Sequence, residues 1–331
     1  MMPKVSVAMT TYNGEKYILK QLQSLYGQSY PIDEVIICDD SSSDATAALV
    51  EAFLKEKQLF HWHFSVNKKN LGFKANFRQA IAGTTGDYIF LCDQDDIWES
   101  DKIEAMLAEM IKNPKIKALN CSFIFIDSDD RVKPLVNRRG YCNGDSLPLT
   151  VADGAVVNIP FSLIAGRNFF PGCTMVMTRD LKELYLKETR ETLVHDWYLN
   201  FLAALVFDGL YFYHCPLIRY RLHEENTIGM DVVLEKTLTV RGDRQKRLAE
   251  VSNDEATVTE FLAVAQKYGA DRGSKIFYLQ SYLRFFAAKK QALMKKSLFG
   301  ILGLYRQAAI YRQYQSFRSR LLDIYTVVKR G

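Results

Sequence analysis

Three short apolar runs, each closed by a cluster of polar residues, limit what this chain can fold into more than any other feature. Lys4 to Thr10 leads into Thr11-Tyr12-Asn13-Gly14, Glu34 to Cys38 into Asp39-Asp40-Ser41-Ser42-Ser43-Asp44, and Tyr88 to Cys92 into Asp93-Gln94-Asp95-Asp96. Runs of this length and composition read as strands buried on both faces. Between them the apolar spacing turns helical: Ile18, Leu22 and Leu25 lie on one face of a helix over Glu15 to Gln28 that Pro31 ends, and a second helix continues to about Lys57. His61 to Ser65 is a further strand, and a helix follows it to about Ala82. Strands alternating with helices at this spacing predict a mostly parallel sheet covered by helices, with ligands taken at the carboxyl ends of the strands. All three polar clusters fall at such ends, which is the first sign of a shared site.

The chemistry of the third cluster is the most demanding. Asp93, Asp95 and Asp96 crowd three carboxylates at the end of a buried strand, where they raise one another's pKa unless a cation sits among them. They read as a site for a hard divalent metal that would serve as a handle for phosphate. An acidic turn capping the helix expected from Lys102 to Lys112 would look the same locally. Farther along, Lys117 to Ile126 is a strand, Asp127 to Asn158 is irregular, and Phe169 to Met177 is a turn feeding a strand. Leu193 opens an apolar helix to Phe207, and Tyr211 to Leu222 is a last strand that Pro216 places at a sheet edge.

No run of eighteen apolar residues occurs, so no membrane-spanning helix is expected, and the first residues do not read as a secretion signal. The expected location is the cytoplasm. Six cysteines without metal-finger spacing, three of them inside strand runs, favour buried thiols over disulfides. The net charge of +5 conceals an uneven distribution: from Arg272 onward there are 13 basic residues and a single acidic one, Asp323. Aromatic and basic residues mix over Phe277 to Lys290 and Leu298 to Tyr325. Helices of that composition can lie on an anionic membrane or pack on the rest of the protein or on a second subunit; nucleic acid is a further target open to a basic tail, though nothing in the first two thirds of the chain suggests it.

Taken in order, Thr10-Thr11-Tyr12-Asn13, Asp39 to Asp44, Asn70-Leu71-Gly72, Asp93 to Asp96, Pro171-Gly172-Cys173-Thr174, His195-Asp196-Trp197 and Arg221 to Thr227 resemble the ordered motifs of inverting family 2 glycosyltransferases. Within that family the likeness is to bacterial rhamnosyltransferases, and it covers about residues 4 to 228. It implies a GT-A fold, a Rossmann-like, mostly parallel central sheet flanked by helices, over residues 1–228, followed by a helical basic segment over 229–331. It also implies a metal-dependent enzyme using Mg2+ or Mn2+, a dTDP- or UDP-sugar donor, and a polyprenyl-linked saccharide acceptor. By the resemblance, Thr11, Tyr12, Asp39 and Asp40 match the nucleoside pocket, with Asp40 the contact to the base. Lys74 and Asn76 lie where donor phosphate or sugar could be reached, and Gly172 would allow close approach of a ligand. Asp93 and Asp95 match the DxD motif, Asp96 follows it, and His223 matches a histidine that completes the metal shell. Asp196 matches the catalytic base, with His195 and Trp197 toward the acceptor. Members often carry Glu-Asp where this chain has His195-Asp196, which leaves one carboxylate for the role. The QxxRW motif of processive synthases is absent.

Overall fold

The computed structural model describes residues 2–134, 139–143, 147–188, 190, 192–222, 244–268, 273–315 and 317–328. The chain forms two units, one of Met1–Ile159 with Asn168–Gly229, the other of Pro160–Arg167 with Met230–Gly331.

The first unit is built on one sheet. Its strands are β1 (Val5–Thr11), β2 (Glu34–Asp39), β3 (Trp62–Val66), β4 (Tyr88–Cys92), β5 (Ile97–Trp98), β6 (Ala118–Ile126), β7 (Val132–Lys133), β8 (Val156–Asn158), β9 (Met175–Thr178) and β10 (Leu210–Arg221). The helices are α1 (Ile18–Tyr26), α2 (Thr46–Glu56), α3 (Phe73–Gly83), α4 (Lys102–Lys112), α5 (Phe161–Ile164, in the second unit), α6 (Arg179–Lys187) and α7 (His195–Val206). The spatial order is β3-β2-β1-β4-β9-β6-β10-β5, with β7 added to β6 and β8 to β10. β3, β2, β1 and β4 are parallel, as their apolar runs foretold. The order runs outward from β1 to β3 and then resumes on the other side with β4, so the switch point lies between β1 and β4. Register places Thr11 opposite Asp39 and Met9 opposite Cys92, which brings all three polar clusters to one end of the sheet at that switch point. Clefts at such points are where open α/β sheets take ligands.

The other half of the sheet departs from simple alternation. β9 enters antiparallel between β4 and β6, pairing Phe90 with Val176 on one side and Leu119 with Val176 on the other. The edge position expected from Pro216 is wrong: β10 lies between β6 and β5. Pro216 is accommodated at an irregularity, where the register against β6 shifts on both sides of it, so its missing N–H breaks no regular ladder. β5 was too short to leave a periodic signal, and α6 is a charged surface helix that apolar spacing did not reveal.

In the second unit, helices Arg244–Lys267, Gly273–Met294, Leu298–Gly303, Ala308–Tyr314 and Phe317–Val328 enclose Phe261, Tyr282, Phe285, Phe286, Tyr311 and Tyr314. Much of the aromatic content that suggested a membrane-facing stripe is therefore internal to this bundle. Its centre also holds Asp323, fully buried, which pairs with Lys289 Nζ at 2.9 Å and accepts from Arg247 Nε and Tyr311 Oη at 2.7 Å each. Burying one carboxylate among a lysine, an arginine and a phenol satisfies its lone pairs, the condition under which such a charge is tolerated. Among the described residues no helix is long and apolar enough to cross a membrane.

Candidate active site

The loops leaving β1 and β4 are tied together by one side chain. Gln94 Oε1 accepts from Tyr12 N and Gln94 Nε2 donates to Tyr12 O, both at 2.8 Å, so the amide behaves as an extra strand residue across the switch point. Gly14 makes room for it: a Cβ there would lie 2.2 Å from Gln94 Oε1. The Tyr12 ring is left 48% exposed at the rim of the cleft, open to stacking. Gly14→Ala is expected to displace Gln94 and break both bonds, raising the donor KM about tenfold with a smaller change in kcat, as read from initial rates at saturating acceptor.

The paired carboxylates after β2 are largely occupied. Asp39 accepts from Thr11 Oγ1 (2.7 Å), Ser42 N (2.8 Å) and Ser42 Oγ (2.6 Å). Asp40 accepts from Asn67 Nδ2 (3.0 Å), Leu71 N (2.7 Å) and Gly72 N (2.8 Å). Each carboxylate offers about four acceptor positions, so each has room for one more donor. Asp39 is fully enclosed and Asp40 is 3% exposed. Three residues expected toward the donor have partners within the protein. Thr11 is buried with its hydroxyl given to Asp39. Asn76 is buried, donating to Cys38 O and accepting from Asn67 Nδ2, so it braces β2 against α3. Lys74 Nζ donates to Thr192 O at 2.6 Å and so ties α3 to the segment before α7.

At the end of β4 the acidic residues separate by depth. Asp93 and Asp95 are half-buried while Asp96 is buried. Asp93, Asp96 and the Cys173 thiol bring ligand atoms within 4.8 Å of one another, and Asp95 stands outside that grouping. Desolvation, then the charges of Asp95, Asp96 and Asp196, push Asp93 well above the usual carboxylate range. Asp96 is raised to about 7, by desolvation first and by Asp95 second. Asp96 Oδ1 accepts from Arg221 N at 3.0 Å, whereas Oδ2 has no hydrogen-bond partner, and the Cys173 thiol lies near the carboxyl group. A buried carboxylate oxygen without a donor, among carboxylates that hold each other protonated, fits a divalent cation. The thiol, itself held protonated by burial, is a poor ligand for a hard ion, and it makes a neighbour of the site rather than part of it. His223 lies outside the described residues.

Two buried cations that sequence reasoning did not assign support this corner. Arg221, fully buried, donates from Nε to Asp95 O (2.7 Å) and from Nη1 to Asp127 O (2.9 Å), and pairs with Asp130 at 2.5 Å. Its backbone and side chain together fix the Asp95-Asp96 turn from below. Lys102 is fully buried, with Nζ donating to Cys173 O at 2.8 Å and lying 3.4 Å from the Trp98 ring centroid. Burial lowers its pKa. Both sit in motifs where a surface helix start or strand end is the ordinary reading, so nothing in the sequence marked them as internal.

Asp196 lies in the first turn of α7. It is nearly buried, its Oδ1 accepts from Trp197 N at 2.6 Å, and its pKa is pushed up to about 6 because burial outweighs the N–H groups of Trp197, Asn168 and Gly172 that favour its charge. Its charge adds to the upward shift of Asp93, and its Cβ would lie 3.5 Å from a Cβ built on Gly172, the neighbour of Cys173. His195 and Trp197, expected toward the acceptor, are both enclosed. His195 is stacked on Phe77 at 4.0 Å, has Phe73 edge-on at 6.3 Å, and is lowered to about 3 by burial, so it is a neutral wedge rather than an exposed contact. Trp197 is also buried. Gly172 is needed for packing: a Cβ there would come within 3.0 Å of His195 Nε2.

A Rossmann-like sheet flanked by helices, with polar loops gathered at its switch point and an acidic corner at the end of β4, is the arrangement of a GT-A glycosyltransferase. Residues 6–161 match the sequence profile of the family described as "Glycosyl transferase family 2". Nearly half of the chain is therefore similar to glycosyltransferase family 2. A dTDP-rhamnosyl transferase of Shigella flexneri is 28% identical over 256 residues, 74% of this chain and 79% of the relative. A putative teichuronic acid biosynthesis glycosyltransferase of Bacillus subtilis is 32% identical over 123 residues, 37% of this chain and 46% of its own length. Among solved structures, a mannosyltransferase from Pyrobaculum calidifontis in complex with GDP-Man and Mn2+ has a TM-score of 0.56 at 18% identity, covering 99% of this chain and 87% of that one. S. aureus TarS 1–349 in complex with UDP has a TM-score of 0.52 at 16% identity, covering 97% and 90%. At such identities these two likenesses speak for the fold.

Proposed function

We propose that the chain is an inverting transferase that moves L-rhamnose from dTDP-rhamnose onto a lipid-linked or growing cell-surface polysaccharide. The transfer chemistry is supported by Asp196 packing beside Gly172, next to the Cys173 that groups with Asp93 and Asp96, and by a pKa of about 6 that leaves it mostly ionised yet basic near neutrality. In this reading Tyr12 stacks on the base and Asp40 uses its remaining acceptor position for the imide N–H. Asp93 and Asp96, with Asp95 beside them, hold Mg2+ or Mn2+, which would supply positive charge to the departing diphosphate. Asp196 takes the proton of the acceptor hydroxyl as that oxygen bonds to the anomeric carbon on the face away from the diphosphate, the stereochemical logic of inverting glycosidases. Rhamnose is favoured over other sugars by the relation to the Shigella protein, which spans most of both chains.

Thermal unfolding with a panel of dTDP-rhamnose, UDP-glucose, UDP-N-acetylglucosamine and GDP-mannose, each with Mg2+, Mn2+ or a chelator, tests this directly. dTDP-rhamnose at a hundred times its Kd is expected to add about 2.7 kcal/mol, and the chelator is expected to remove the gain. Stabilisation by a UDP-hexose alone would replace the rhamnose assignment with a UDP-hexose transferase. Stabilisation by no donor would remove the transferase reading of the cleft.

A further inference from the structure

The second unit carries an apolar projection that its own core does not use. The turn after helix Gly273–Met294 and the short helix Leu298–Gly303 leave Phe299 87% exposed and Met294 62% exposed, with Leu298 and Leu302 also open. Four large apolar side chains within nine residues form a contiguous patch, unlike the single exposed residues common on protein surfaces. The projection is held by the bundle rather than left to wave. Ile301 and Leu304 are buried beneath it, Ser297 N bonds Ala292 O at 2.9 Å, and Ser297 Oγ caps the short helix by accepting from Gly300 N at 2.9 Å. Lys295, Lys296 and Arg306 are exposed around it. The single acidic residue after Arg272, Asp323, is buried and paired, so no carboxylate of that stretch offsets these cations at the surface.

We infer that this projection seats the enzyme on an anionic lipid bilayer, with Phe299, Leu298, Leu302 and Met294 entering the headgroup boundary and Lys295, Lys296 and Arg306 meeting lipid phosphates. Protein interfaces are depleted in lysine, whereas aromatic and leucine side chains ringed by lysine and arginine suit a bilayer interface. The inference goes beyond the proposed transfer reaction, and its test reads binding alone. Full-length protein is sedimented with vesicles of neutral phosphatidylcholine or of the same lipid with 30% phosphatidylglycerol. Binding is expected to the anionic vesicles only and to weaken with salt. Leu298→Asp with Phe299→Asp should lower partitioning at least tenfold. Lys295→Gln with Lys296→Gln should lower it about thirtyfold. All four positions are exposed, so thermal unfolding of both variants should match the parent. Equal partitioning of parent and variants, or no binding to anionic vesicles, overturns the inference. A concentration-dependent dimer that Phe299→Asp dissolves, without vesicle binding, would assign the patch to a second copy of the chain instead.

Discussion

Asp196→Asn is expected to lower kcat by about a thousandfold while donor binding changes little, because only the proton-accepting step needs the carboxylate. Single-turnover rates and donor titrations of the same preparation separate the two effects. The parent enzyme should lose kcat/KM as pH falls through about 6, the value to which burial raises Asp196, with a single-proton slope. The same residue makes a second, less obvious prediction. A carboxyl group whose folded pKa lies above its unfolded value binds protons more tightly when folded, so its ionisation opposes folding at pH above about 6, and the opposition fades as pH falls toward 4. Asparagine cannot ionise, so Asp196→Asn should be more stable than the parent at pH 7.5, by up to about 3 kcal/mol, and similar to it near pH 4. Normal turnover in Asp196→Asn would put the base elsewhere. Lost turnover without any gain in stability would leave the catalytic role intact and contradict the description of its surroundings.

Arg221→Met is expected to destabilise the first unit by about 3–5 kcal/mol, a fall in Tm on the order of 10 °C. The guanidinium serves Asp95 O, Asp127 O and the Asp130 carboxylate together, and methionine would leave the two carbonyls without a donor. Arg221→Lys should recover only part of the loss, since one ammonium cannot cover the separate positions reached by a planar fork. Because the arginine fixes the turn holding Asp95 and Asp96, metal affinity measured by Mn2+ electron paramagnetic resonance should fall in both variants. A destabilised Arg221→Lys with unchanged Mn2+ affinity would confine the residue to a folding role.

The parallel half of the sheet was legible because strands buried on both faces must be continuously apolar, and β1, β2 and β4 are. The acidic corner was legible for the opposite reason: three carboxylates at a buried strand end need an explanation. What stayed hidden depends on contacts between distant parts of the chain. Gln94, Lys102 and Arg221 look like ordinary surface residues until Tyr12, the turn Gly172–Thr174 and the loop carrying Asp95 are folded against them. Asn76, His195 and Trp197 are all enclosed, which no motif reveals. A motif fixes the position of a residue along the chain, but burial decides whether its side chain faces a ligand or braces the wall behind it. Pro216 misled in the same way, since the rule that confines proline to edges admits irregular pairings that only the register reveals.

The antiparallel β9 has a consequence for biosynthesis. When Tyr88–Cys92 leaves the ribosome it can join β1 at once, but its other neighbour, Met175–Thr178, emerges more than eighty residues later. At ordinary elongation rates of about 5–20 residues per second that is roughly 4–17 s. Throughout that interval an apolar strand edge stands open to any nascent chain nearby, so the yield of native enzyme should depend more on chaperone supply during translation than on the stability of the finished fold.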